Sequence, residues 1–316
     1  MPMQSEGFTC RHGAVRLLCS EMKSAATGVT AMDTVANNDA AQPPQHIPLG
    51  AELRSRYDSV MDRVAKAAAR VGRRPSDIVV VAVTKYASME QVRELIAFGH
   101  EHLGENRVQQ LVQRAALVDE QMLRRRERPT AAQDGSTPTV RWHLIGTLQR
   151  NKVKKAIEIA RLVHSVDSLR LAEEIQDCCQ KRTEPVDVLV EVNVSGERSK
   201  HGVAPAAARH VVEMIDTMIH LRARGLMCMA PEGQTGALGE AETRRIFTRC
   251  HELFEEICTA RTGMSANGLR FDILSMGMSD DFEIAIECGA NMVRIGSAIF
   301  GDHATRELET DSPAND

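Results

Sequence analysis

From about residue 50 onward, apolar positions follow two alternating rhythms. Short β-branched runs, too short for a helix, are followed by longer stretches with apolar residues three and four apart. The first such stretch, 53–71, has helical spacing and stops at Gly72. An uncharged run from Ile78 to Thr84 then reaches Lys85 and predicts a buried parallel strand over 78–85. Further strands are predicted at 102–106, 142–146, 162–166, 186–194, 226–229, 271–274 and 292–295. Helices are predicted from 89 to near Gly99 with Ser88 as cap, at 108–126, from about 149, and at 168–181, 205–219, 240–260 and 280–288.

Strands and helices alternate to the end of this pattern, and no second cluster of strands is left over. A single (β/α)8 barrel over 49–302 is the predicted fold. A doubly wound open sheet is the alternative. It would carry a glycine-rich loop after the first strand, where this chain has Thr84-Lys85-Tyr86-Ala87.

Three segments break the pattern. Residues 1–48 are small, polar and rich in Pro, Asn and Ala toward their end, which predicts a disordered N-terminal extension. Its apolar part is too short and mixed for a signal peptide; Arg11, Arg16 and Lys23 suit a transit peptide, whereas Glu6 and Glu21 oppose one. Met22 and Met32 are alternative starts. Residues 127–140 predict a polar surface loop and 303–316 a flexible tail.

Composition removes whole classes of function. A net charge of −4 argues against nucleic-acid or membrane-surface binding, and an aromatic content of 3% leaves few stacking platforms for bases. No apolar run reaches the roughly 18 residues of a membrane span. The eight cysteines form no CxxC pair and fall mostly in apolar segments, which argues against zinc and disulfides and for a reducing, cytoplasmic location.

The candidate chemistry sits at strand ends. Lys85 closes the first strand, at the sheet edge where α/β folds place their sites; a snorkelling cap is the plain alternative. The seventh strand runs into Ser275-Met276-Gly277-Met278-Ser279-Asp280, and the eighth into Gly296-Ser297-Ala298-Ile299-Phe300-Gly301. Loops at these two positions commonly hold a phosphate, although Ser279 or Asp280 would equally cap the next helix. Arg294, within the eighth strand, requires a carboxylate, a carbonyl or a ligand acceptor once buried. A lysine, a phosphate corner and an adjacent arginine suit a phosphorylated aldehyde, with lysine as Schiff-base amine and arginine toward a pyridine nitrogen. Pyridoxal 5′-phosphate (PLP) has that chemistry.

The motifs Val81-Ala82-Val83-Thr84-Lys85, Gly104-Glu105-Asn106, Trp142-His143-Leu144-Ile145-Gly146, Glu191-Val192-Asn193, Ser199-Lys200-His201-Gly202, Leu274 to Asp281 and Val293 to Gly301 carry a resemblance. Over about 50–302 the chain resembles the pyridoxal phosphate homeostasis family, whose barrel is similar to the alanine racemase N-terminal domain. The resemblance implies PLP as cofactor on Lys85, Arg294 at the pyridine nitrogen, Ser275, Gly296 and Ser297 at the phosphate, and Asn106 along the ring. His143, Asn151, Lys152 and Lys200 match family positions without an assigned role. Tyr86-Ala87 and Ser297 depart from the commonest family pattern.

Two functions follow from the resemblance. One is a PLP-binding protein of vitamin B6 homeostasis that stores, buffers or delivers the cofactor, with apo-enzymes as candidate recipients, without substrate turnover; the other is a PLP-dependent amino-acid racemase. Racemases of this fold resemble a barrel plus a second β-domain, whereas only 302–316 follow Gly301 here, so a non-catalytic monomer is expected. A cofactor-free Schiff-base aldolase is a third alternative that would not need Arg294.

Overall fold

Eight parallel strands pair in chain order and close on themselves, β8 against β1. The computed structural model describes residues 49–126, 139–197, 201–231, 236–261 and 270–301. The predicted extension, most of the 127–140 loop and the predicted tail lie outside the described residues. The strands are β1 (Val79–Val83), β2 (His102–Glu105), β3 (Arg141–Leu144), β4 (Leu162–Val166), β5 (Val186–Glu191), β6 (Leu221–Met227), β7 (Ile273–Ser275) and β8 (Met292–Ile295). The helices are α1 (Leu49–Arg70), α2 (Met89–Ala97), α3 (Val108–Arg126), α4 (Val153–Ile157), α5 (Leu169–Cys178), α6 (Pro205–Asp216), α7 (Gly236–Arg261), α8 (Phe282–Glu287) and α9 (Ser297–Phe300). The (β/α)8 barrel is therefore the fold, and the open sheet is excluded.

Strand alternation sorts side chains into two cores. Val80, Ala82, Leu103, Leu144, Val163 and Val293 face the helices and join the larger cluster. Val81, Leu162, Leu189, Met227 and Met292 pack inside the barrel. Burying each of these side chains contributes roughly 1.5–3 kcal/mol. Outside, α1 fills the gap between the first and last repeats by packing on α2, α8 and α9. Arg63 donates to Glu283 at 2.9 Å and Arg70 to Glu287 at 2.7 Å across the α1–α8 contact.

Several boundaries differ from the expected ones, each for a local reason. The first strand ends at Val83 rather than 85: Thr84 donates its N–H to the Gly104 carbonyl, and Ala87 donates back to Thr84, so Lys85 sits in a turn. The fifth ends at Glu191, after which only an isolated Val192–Val203 bridge continues. The sixth begins at Leu221 instead of 226. Arg222 and Arg224 hid its start, because their charges are matched by a carboxylate that the strand alone does not show. Asp187 accepts from Arg222 at 2.7 Å and Arg224 at 2.9 Å, and Arg224 also donates to Asp272 at 2.7 Å. The seventh strand starts at Ile273 rather than 271. The helix expected from 149 opens as a 3-10 turn over Arg150–Lys152, and the short α9 was not expected.

Gly225 marks the shift in the β5–β6 register. Its φ is +155°, and a Cβ there would lie 1.7 Å from the Ile273 carbonyl oxygen. Gly225→Ala should lower stability on the order of 3 kcal/mol by combining strain with a backbone clash. An unchanged urea midpoint would contradict this account of the bulge.

Candidate functional site

The closing β1–β8 ladder assembles the site. Val81 pairs with Arg294 and Ala82 with Ile295, so Gly296 lies beside Val83 and the lysine turn continues from the same edge. A Cβ on Gly296 would stand 3.4 Å from both Cβ and the carbonyl oxygen of Val83.

The turn that carries Lys85 is held from both sides by one buried ion pair. Glu105, at the end of β2, accepts from the Thr84 hydroxyl at 2.5 Å and from Arg114 Nε at 2.9 Å. Arg114 also donates through Nη2 to the Ala87 carbonyl at 2.7 Å. Glu105 is wholly buried, and burial pushes its carboxyl up from the usual range, opposed by the Thr84 hydroxyl and by Arg114. Beyond the turn, Ser88 caps α2 as expected, and Gln91 completes a capping box with it. Gln91 donates onward to the Phe300 carbonyl in α9 at 3.2 Å, tying the lysine turn to the corner after β8.

Lys85 is half-buried, with Nζ 4.7 Å from the centroid of the Tyr86 ring. Lys85, Tyr86, Asn106 and Arg107 are among the walls of a cavity of about 840 Å³ that extends along α3. Asn106 Oδ1 is buried with no hydrogen-bond partner among the described residues. Ser275, Arg294, Gly296 and Ser297 are not part of that cavity's wall.

At the corner of β7 and β8, the hydroxyl of Ser279 has a different task from the expected cap. It accepts from the N–H groups of Gly296 at 3.2 Å and Ala298 at 3.4 Å, joining the two loops. Helix α8 is entered through Asp281, whose Oδ1 accepts the Met278 N–H at 2.5 Å. Ser297 is exposed and Gly296 half-buried.

Arg294 is 3% exposed, yet no carboxylate lies within ion-pair distance of it among the described residues. Its Nη1 donates to Ser275 Oγ at 2.7 Å and its Nη2 to the Cys228 carbonyl at 3.0 Å. Burial pulls the guanidinium down from its ordinary value; Asp281 and Glu191 oppose this from a distance. The core salt bridge considered from sequence is not found among the described residues, and Ser275 is bound from inside the barrel by Arg294 and His164. Glu191, at the end of β5, is buried and raised to about 7 by burial and by Asp167, with His201 and Arg294 opposing.

Of the unassigned motif residues, His143 is buried in the barrel, Asn151 is exposed and Lys152 half-buried, and Lys200 lies outside the described residues. The Glu105–Arg114 clamp, Ser279 as a loop bridge and His164 were missed. Glu105 had a signal, a carboxylate at the end of a buried strand; His164 had one as well, sharing the inward face of Leu162.

Comparison with known proteins places this geometry. Residues 56–304 match the family described as alanine racemase, N-terminal domain. The chain is 34% identical over 243 residues to the pyridoxal phosphate homeostasis protein of Escherichia coli, covering 77% of this chain and 93% of that protein. The chain belongs to the pyridoxal phosphate homeostasis family. A solved protein of unknown function from Bifidobacterium adolescentis is similar at a TM-score of 0.67 and 32% identity, covering 80% of this chain and 96% of that one. PipY of Synechococcus elongatus, solved with PLP bound, is similar at a TM-score of 0.60 and 30% identity, covering 77% of this chain and all of that one. Within the family's barrel, the departure at Tyr86 stands directly against the lysine, with the phenol ring packed on Nζ.

Two predictions follow from the charged groups. Arg114→Met leaves the Glu105 carboxylate buried and unpaired and should destabilise the fold by about 3–5 kcal/mol in urea titrations. Adding Glu105→Gln to that variant should recover part of the loss; equal loss would show that the pair does not act as a unit. For Glu191, the folded pKa is raised from 4.5 to about 7, so its stabilising contribution is fully present below the unfolded value and is lost as pH rises through the folded one. Glu191→Gln should flatten the decline in stability across that window, and a profile parallel to that of the unsubstituted chain would contradict the assignment.

Proposed function

We propose that this chain binds pyridoxal 5′-phosphate covalently at Lys85 and serves in PLP homeostasis without turning over an amino-acid substrate. The observation that carries the reading is Arg294: a fully buried guanidinium at the mouth of the barrel, with no carboxylate at ion-pair distance among the described residues, on the strand paired with the one leading to Lys85. The residues suit the cofactor. Arg294 uses two N–H groups on protein acceptors and has others to offer a ring nitrogen. The unpartnered Asn106 Oδ1 borders the cavity beside the lysine. The Gly296–Ser297 corner, braced by Ser279, offers backbone and hydroxyl donors for a phosphate.

When bound, the cofactor supplies an aldehyde able to join a lysine amine with loss of water. Lys85 is the amine at the end of β1, and the Glu105–Arg114 pair holds its turn. Arg294 is a donor toward the ring nitrogen and keeps protons off it, which weakens the electron sink that amino-acid chemistry uses. Asn106 flanks the ring, Gly296 and Ser297 hold the phosphate, and Ser275 orients Arg294. Delivery to apo-enzymes follows as the physiological role, and the barrel works as a monomer in this reading. A racemase-type activity is the second reading, favoured by one observation: the Tyr86 ring, which carries a hydroxyl, stands next to Lys85.

An absorbance spectrum of the purified chain with PLP, then borohydride reduction and peptide mapping, tests the proposal. The expected result is a reduced adduct on Lys85, absent in Lys85→Ala, which retains the circular dichroism of the unsubstituted chain. An adduct on Lys152 would move the site, and none at all would favour the cofactor-free aldolase. Racemisation across a screen of amino acids would establish the second reading instead.

A further inference from the structure

A string of hydrogen-bonded side chains crosses the inside of the barrel and ends on Arg294. Nδ1 of His102 lies 2.9 Å from Nε2 of His143, and Nδ1 of His143 lies 2.9 Å from Nε2 of His164. Nδ1 of His164 is 3.0 Å from Ser275 Oγ, the hydroxyl to which Arg294 donates at 2.7 Å. The string therefore links β2, β3, β4, β7 and β8. His143 and His164 are 2% and 0% exposed. Burial is the first cause holding both neutral: His143 falls to about 3, and His164 falls well below the usual imidazole value. Their neighbours on the inward face are apolar, Leu162, Met227 and Met292 among them. A buried imidazole nitrogen left unpaired there would carry its full desolvation penalty.

The direction of the string follows from proton counting. A guanidinium has no acceptor, so Arg294 donates to Ser275. Were His164 also to donate, the Ser275 proton would have no acceptor among the described residues, and buried polar groups are nearly always paired. Ser275 therefore donates to Nδ1 of His164. A neutral imidazole carries one proton, so His164 donates from Nε2 to His143, and His143 donates from Nε2 to His102. This direction matters at the other end. Of the two acceptors that hold Arg294, the Cys228 carbonyl is fixed by the backbone, whereas the Ser275 hydroxyl can rotate unless something claims its proton.

We propose that His164 and His143, with His102 as the outer acceptor, are positioning residues for PLP: by claiming the Ser275 proton they hold a lone pair on Arg294 and aim the guanidinium at the cofactor's ring nitrogen. The inference rests on the PLP reading above. It assigns a task to His143, to which the family motif attached none.

The test uses the full chain with Leu and Gln at each of positions 143 and 164. Leucine keeps bulk without polarity, whereas the glutamine amide both accepts and donates and so preserves the direction of the string. His143→Leu and His164→Leu should bind PLP roughly tenfold more weakly, the equivalent of about one charged-group hydrogen bond, and shift the absorbance maximum of the bound cofactor. The Gln variants should stay within about threefold of the unsubstituted chain. His102→Leu, at the half-buried outer end, leaves the buried layer intact and should shift the same band in the same sense. Leu and Gln variants that behave alike would overturn the proposal. A ¹⁵N–¹H spectrum of the cofactor-free chain provides a second arm: both buried histidines should carry the proton on Nε2, and Nδ1–H rings would overturn it. If the unsubstituted chain forms no adduct on Lys85, the PLP reading fails, while the tautomers still decide the polarity of the string.

Discussion

The parallel ladder between β8 and β1 is the contact on which the site depends. It pairs Val79 with Met292 through Ala82 with Ile295, with Val79 donating to the Asn291 carbonyl at 2.8 Å. Because each strand then delivers its carboxyl end to the same rim, the lysine turn at one end of the barrel sequence and the Gly296–Ser297 corner at the other lie on one edge, with Gly296 beside Val83. The Gln91–Phe300 hydrogen bond and the packing of α1 on α8 and α9 brace the same seam from outside. An open sheet of the same elements would keep every strand and lose the site.

The two ends of the barrel treat arginine differently. Toward the amino-terminal ends of β5 and β6, Arg222 and Arg224 meet Asp187, and Arg224 also meets Asp272, an arrangement that satisfies charge with charge. At the mouth, Arg294 is held, among the described residues, by a hydroxyl and a carbonyl. Removing a guanidinium from water without a counter-charge is costly, so such a residue persists where the field of Glu191 and Asp281, or a bound acceptor, offsets that cost. The contrast separates an arginine cluster neutralised by carboxylates from an arginine held by neutral acceptors within one interior.

Local pattern was most informative where a segment satisfies its own needs. Strands 162–166 and 292–295 and the helix 108–126 have the predicted limits, because apolar runs and helical spacing are properties of the segment alone. The Ser88 cap is equally local. Prediction failed where a partner lies far along the chain. The start of β6 was hidden by arginines whose carboxylate is on β5. Ser279 suits either a helix cap or a phosphate loop by its sequence position, but its lone pairs are taken by N–H groups after β8.

The sequence by itself determined the order and kind of the elements, the barrel they build and the placement of Lys85, Gly296 and Ser297 at strand ends, since periodicity and turn residues act within a few positions. Only the tertiary structure decided that Arg294 donates to a hydroxyl and a carbonyl, that Glu105 and Arg114 clamp the lysine turn, and that three imidazoles and Ser275 form one string. These are contacts between side chains of different strands facing a shared interior or rim, and which of them meet is set by closure and register.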